Sequence, residues 1–277
     1  MLQEIVGTLV GRWYVTTFGI TFVVLASRHL GWRRTGIYTA VAIVVGVVAE
    51  NGSVSFGIPY TRYAFNDALR GNELFVGNVP LMVTLSYTFM SYFAFATARV
   101  IASGLWRLRS PIPLLEYVLG VALAVWGIWV VDPISRLGAH FFLGELFRYD
   151  GPGFWFGLPL GSQLGFALTS AILVGFLTYL MRDESDGVVE QPLRHPHLPA
   201  IGGYLGQVVF MASTAFFVAR TSSNPAVIQT ADALCGSAFL IFVPMGILTA
   251  VHWRTLAVTR HGEPVPPFPA RVGADGS

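Results

Sequence analysis

Seven apolar runs, at about 5–26, 36–49, 80–101, 114–131, 160–180, 201–219 and 233–251, leave this 277-residue chain little choice of environment. Most approach the roughly 20 residues that a helix needs to cross a bilayer, where every backbone amide must find its partner inside the segment. With 54% hydrophobic and only 12% charged residues, the chain is too apolar for an average soluble domain. The expectation is an all-α integral membrane protein of about seven transmembrane helices, forming one polytopic domain over 1–262. The tail at 263–277 carries Pro264, Pro266, Pro267 and Pro269 and is expected to be disordered. The first run holds Arg12, which fits a shorter span with an interfacial lead-in. The second is short, so its helix is expected to continue past Glu50.

The connections are less ordinary than the spans. From Glu50 to Tyr87 an acid closes an apolar run, an aromatic-rich segment follows, and Val79-Pro80-Leu81 leads into the next run. From Asp132 to Phe166 the same order recurs, with Leu158-Pro159-Leu160 at the re-entry. Leu85-Ser86-Tyr87 and Leu164-Gly165-Phe166 follow at matching distances, the pattern of a degenerate internal repeat; convergence on one turn chemistry is the plainer reading. Connections so rich in Phe and Tyr are expected to be interfacial or re-entrant. Residues 140–149 place their aromatic side chains away from Glu145 and Arg148, as a helix lying in the interface plane would. The 183–199 connection, polar and holding three prolines, reads as a flexible loop.

Arginine placement sets the expected orientation. If the connection after the first run is cytoplasmic, eleven arginines fall on inner segments and six on outer ones. That excess puts the amino terminus outside, the carboxyl terminus in the cytoplasm, and both acid-bearing connections on the outer face of a bacterial or archaeal cytoplasmic membrane. The net charge of +2 is too small and too dispersed for a nucleic-acid surface. One cysteine, Cys235, excludes an internal disulfide and a cysteine-cluster metal site.

Three acids end or begin spans: Glu50, Asp132 and Asp232. A carboxyl group in or near hydrocarbon is costly to ionise and tends to hold its proton, which is what a general acid needs. Each also has a plain structural reading, Glu50 as a water-boundary marker and Asp132 and Asp232 as helix-terminal acids. Around the first two lie Tyr60, Tyr63, Phe65 and Tyr87, then Tyr149, Trp155 and Phe166. Such a wall can hold an apolar chain and stabilise a carbocation through the ring quadrupoles, although an aromatic belt at the interface would look the same. The six histidines are scattered, and neither a phosphate loop nor a paired-aspartate DDxxD pattern is present. No metal site and no cofactor is expected, and the chemistry is left to carboxylates, water and shape.

Taken together, Glu50-x-Gly52, Gly57-x-Pro59-Tyr60-x-x-Tyr63-x-Phe65, Val79-Pro80-Leu81, Asp132-Pro133 and Gly157-Leu158-Pro159-Leu160 resemble the CruF-type carotenoid biosynthesis proteins. These are polytopic hydratases that add water to the terminal double bond of an acyclic carotenoid. The chain departs from the family's usual residues at Thr61, Tyr87, Phe147, Tyr149, Ser162 and Phe166. The resemblance implies cofactor-independent hydration of an apolar isoprenoid through a tertiary carbocation. Glu50 and Asp132 would be the acid–base pair, and Tyr60, Tyr63, Phe65, Tyr87, Tyr149, Trp155, Phe166 and Asp232 the substrate-binding set. The same residues admit a proton-initiated terpenoid cyclase, or a non-catalytic carrier of lipids or small molecules.

Overall fold

The computed structural model describes residues 1–106, 113–135, 137, 145–151, 153–182 and 197–258. Among the described residues eight α-helices follow in order: α1 (Leu2–Val6), α2 (Trp13–His29), α3 (Trp32–Phe56), α4 (Leu81–Trp106), α5 (Pro113–Ser135), α6 (Leu160–Leu180), α7 (His197–Thr221) and α8 (Pro225–Val258). Of these, α3, α4, α5, α6 and α7 contain stretches long and apolar enough to cross a membrane. A sixth span arises if α1, a π-turn at Gly7–Gly11 and α2 count as one broken crossing, bent by 79°. The protein is thus a multi-pass helical membrane protein, with five to six qualifying spans among the described residues. The run expected at 233–251 falls inside α8, which is not among them.

Helix ends follow local chemistry. The second apolar run does continue through Glu50, and α3 stops only at Phe56, because Gly57 adopts φ +77° and returns its N–H to the Ser53 carbonyl. This left-handed cap is open to glycine at little steric cost. Pro80 and Pro159 stand immediately before the first residues of α4 and α6, where a missing N–H leaves no helical bond unmade. Pro113 and Pro225 open α5 and α8 in the same way.

The central element is α4, which packs against α2, α3, α5, α6, α7 and α8. Its Tyr92, Phe93 and Phe95 are fully buried. Gly203 on α7 lets the Phe93 ring come so close that a β-carbon there would sit 2.8 Å from it. The core therefore runs along α4, with the polar site at the end of the bundle where α3 and α5 finish.

The two aromatic connections are not independent lids. Strand β1 (Tyr63–Phe65) pairs antiparallel with β4 (Phe147–Tyr149), setting Tyr63 opposite Tyr149 and Phe65 opposite Phe147. Helix α3 leads into β1 and α4 follows; α5 leads into β4 and α6 follows, so the sheet joins corresponding points of the two connections. Residues 147–149 are therefore strand, which corrects the interfacial helix expected over 140–149. Pairing with β1 satisfies their backbone groups and turns Phe147 and Tyr149 inward, the alternation of a strand overriding the helical pattern. Residues 140–144 lie outside the described residues, as do the tail at 263–277 and most of the 183–199 connection. A second hairpin, β2 (Phe75–Val76) with β3 (Val79–Pro80), turns at Gly77. It is tied to α3 by Asn51, whose side chain donates to the Val76 carbonyl and accepts from the Asn78 amide.

Candidate active site

A cavity of about 120 Å³ lies between α2 to α7 under the β1–β4 ribbon. A buried water needs roughly 10–15 Å³ by this measure, so the space is several waters in size, and most of its lining is apolar. Its wall contains Glu50 from α3 and Asp132 from α5, the acids that end the apolar runs before the two aromatic connections. Tyr63, Phe65, Phe147 and Tyr149 roof it from the ribbon, and Tyr87 and Phe166 wall it from α4 and α6. Seven of the residues expected at the site from sequence thus meet around one space.

Glu50 is held by a chain of hydroxyls. It is only 4% exposed. The Tyr87 hydroxyl donates to its Oε1 at 2.5 Å, the Tyr60 and Tyr87 hydroxyls lie 2.5 Å apart, and Tyr60 donates to Thr169 Oγ1 at 3.1 Å. Thr169 in turn bonds the Gly165 carbonyl. Two tyrosine protons cannot fill three contacts at once, so the chain has two directions. With Glu50 ionised, Tyr60 donates to Tyr87 and Tyr87 to the carboxylate. With Glu50 protonated, the donors run outward from Glu50 through Tyr87 and Tyr60 to Thr169. Reversing hydroxyl rotors moves no heavy atom, so the same scaffold serves both protonation states. Asp132 is half-buried and within Coulombic reach of both Glu50 and Tyr60.

Tyr60 reaches this chain from outside the cavity wall. Its amide donates to Ser53 Oγ at 2.9 Å and its ring stacks on Phe166 with centroids 4.5 Å apart. Gly165 makes room for it, since a β-carbon there would fall 2.4 Å from the ring. On the second copy the Tyr149 hydroxyl bonds Ser162 Oγ at 2.5 Å, fixing β4 against the first turn of α6.

Two expected residues are elsewhere. Trp155 is not in the wall: its Nε1 donates to the Trp129 carbonyl at 3.0 Å and its ring packs on Trp129. The turn around Phe156 and Gly157, both at positive φ, aims it sideways. Asp232 lies in α8 beyond the first turn, exposed, and 3.6 Å from Arg220. It belongs to a surface ion pair, because α8 starts at Pro225 and not beside Asp232.

One pair escaped the sequence reading. Arg12, at the break between α1 and α2, is 3% exposed and forms an ion pair with Glu73 from the first connection, its Nη2 2.9 Å from Oε1. Both residues line the cavity. The signal was present: an arginine inside an apolar run demands a partner, and Glu73 is an acid in the aromatic connection with no other role.

Buried carboxylates, a hydroxyl chain and an aromatic wall around one cavity stand inside a multi-pass helical membrane protein. The family model described as "Carotenoid biosynthesis protein" matches residues 11–237, and the chain belongs to that family. No curated protein and no solved structure matches it. Membership places the protein in carotenoid biosynthesis, with lipid and isoprenoid partners.

Proposed function

We propose that the protein is a cofactor-independent hydratase that adds water across a terminal carbon–carbon double bond of an acyclic isoprenoid. The observation that carries this is the meeting of Glu50 and Asp132 in the wall of one aromatic-lined cavity. Protonated Glu50 gives its proton to the less substituted alkene carbon; the π pair becomes the new C–H bond and leaves a tertiary cation. The Glu50 carboxylate so formed is held by the Tyr87 hydroxyl as the chain reverses. The faces of Tyr63, Tyr87 and Phe166 stabilise the cation. Water adds its lone pair to the cation, Asp132 takes the released proton, and the product is a tertiary alcohol. The second proton returns to Glu50 through solvent or the cavity water, so the enzyme is regenerated without any other reactant.

Removing either acid removes one half of this exchange. In cells that accumulate lycopene-like pigments, the wild type should yield products heavier by one water, and Glu50→Gln and Asp132→Asn should each abolish most of that yield. Both amides bury more easily than charges, so membrane insertion should persist. Normal product from both variants sinks the acid–base roles, and products of unchanged mass would point to cyclisation. From the arginine asymmetry, the cavity opens toward the outer half of the bilayer, with the amino terminus outside.

A further inference from the structure

Addition of water needs a water molecule held beside the cation, yet most of the cavity's lining is apolar. A second, smaller space lies between α4, α5 and α7. It measures about 10 Å³, roughly the volume of one buried water. Met90, Ala124, Val131 and Gln207 line both spaces, so the small one adjoins the large one along a common wall. Val131 directly precedes Asp132 in α5, which sets that wall next to the carboxylate in the chain.

Two polar side chains line this annex, both from α7. Gln207 is only 8% exposed, and one of its amide N–H groups goes to the Gly203 carbonyl at 3.3 Å. Among the described residues no other group bonds that side chain, which leaves an N–H and the amide oxygen for the two spaces it lines. Tyr204 is buried, and its hydroxyl donates to the Leu123 carbonyl at 2.8 Å. The phenol oxygen keeps its lone pairs. Gly127 faces this end of the ring, since a β-carbon there would stand 3.9 Å from Cε2, the atom beside the one that bears the oxygen. A buried amide left half-bonded is unfavourable, and a water that bonds it recovers the loss. Volume limits the occupant to a single molecule of that size.

We infer that the annex is the binding site of the reacting water, held by Gln207 and Tyr204 at the edge of the cavity. This rests on the hydratase reading above and adds the residues that position its second substrate. A water that gives its protons to the Gln207 and Tyr204 oxygens keeps its lone pairs for the cation. On addition one lone pair becomes the C–O bond, and Asp132 takes one of the two protons. A cation that meets no water has another exit: a proton leaves the neighbouring carbon for the Glu50 carboxylate, and the alkene forms again. Gln207 therefore decides between hydration and reversal.

The test uses the full chain in proteoliposomes, with lycopene as the probe, in D₂O. Glu50 then delivers deuterium. A cation that captures water leaves as the alcohol, and one that reverts leaves as lycopene with deuterium on carbon; mass spectrometry counts both. In Gln207→Leu the ratio of alcohol to deuterated lycopene should fall about tenfold, which one well-placed hydrogen bond can supply. Gly127→Ala should lower the same ratio, because its β-carbon takes the annex at ordinary contact distance from Tyr204 while alanine suits the helix. Should Gln207→Leu fail to reach the membrane, Gln207→Met replaces it, with the same expectation. A Gln207 variant that turns over more slowly at an unchanged ratio overturns the inference and leaves the hydratase reading standing. An unchanged ratio in Gly127→Ala also overturns it, because the water would then lie elsewhere. A wild type that makes no alcohol sinks the hydratase reading and this inference with it.

Discussion

Tyr87→Phe isolates the hydroxyl chain from the shape of the site. The ring stays, so the cavity wall and its contacts are kept, and only the oxygen between Tyr60 and Glu50 is lost. Tyr60 retains Thr169 as a partner, and its proton is not stranded. The whole effect therefore falls on Glu50, which loses the donor at 2.5 Å that meets its carboxylate once the proton has left. A hydrogen bond to a charged group is worth about 1.5–3 kcal/mol, which corresponds to roughly 10- to 150-fold in rate. Since the bond is needed most when the carboxylate forms, the loss should appear in kcat with KM little changed. Initial rates in proteoliposomes at several substrate concentrations measure both, and a thermal melt in detergent checks that the fold is kept. A variant within about twofold of the wild-type kcat, beside an inactive Glu50→Gln, would refute a role for the chain in holding the ionised acid. An equal loss through KM alone would place Tyr87 in binding.

Gly165→Ala should push Tyr60 off Phe166, since the new β-carbon would lie 2.4 Å from the Tyr60 ring and 2.6 Å from the Pro59 carbonyl. Activity should fall at least tenfold with membrane insertion intact, and a fully active variant would show that Tyr60 can move without consequence. Ala64→Cys with Arg148→Cys should form an intramolecular disulfide under mild oxidation, because these residues are directly opposed in the β1–β4 register; mass spectrometry of the digest reads the link. Failure to cross-link would count against the ribbon that joins the two connections. Reporter fusions within 183–199 and at the carboxyl terminus should report the cytoplasm, and a periplasmic signal at either would reverse the proposed orientation.

The helical class, most spans and the two acid-bearing connections were legible in the sequence because hydrocarbon imposes a local rule. A segment that satisfies its own amides and shows apolar side chains must be a helix of roughly known length, wherever it sits in the bundle. Glu50, Asp132, Tyr63, Phe65, Tyr87, Tyr149 and Phe166, which line one cavity, stood out in the sequence for the same reason: polar and aromatic groups at span ends contrast with so apolar a background. What tertiary structure alone decided was partnership. That β1 pairs with β4, 84 positions away as the registered residues Ala64 and Arg148 show, depends on two connections meeting over one cavity, which no local pattern encodes. Arg12 read as part of an interfacial lead-in to a short span until the bend before α2 brought it to Glu73. Trp155 and Asp232 had the right chemistry near the right spans, yet a turn at Phe156 and an earlier start of α8 aimed them elsewhere. Composition and periodicity determine which side chains must leave water, but only the packing of six helices around α4 determines which of them face each other.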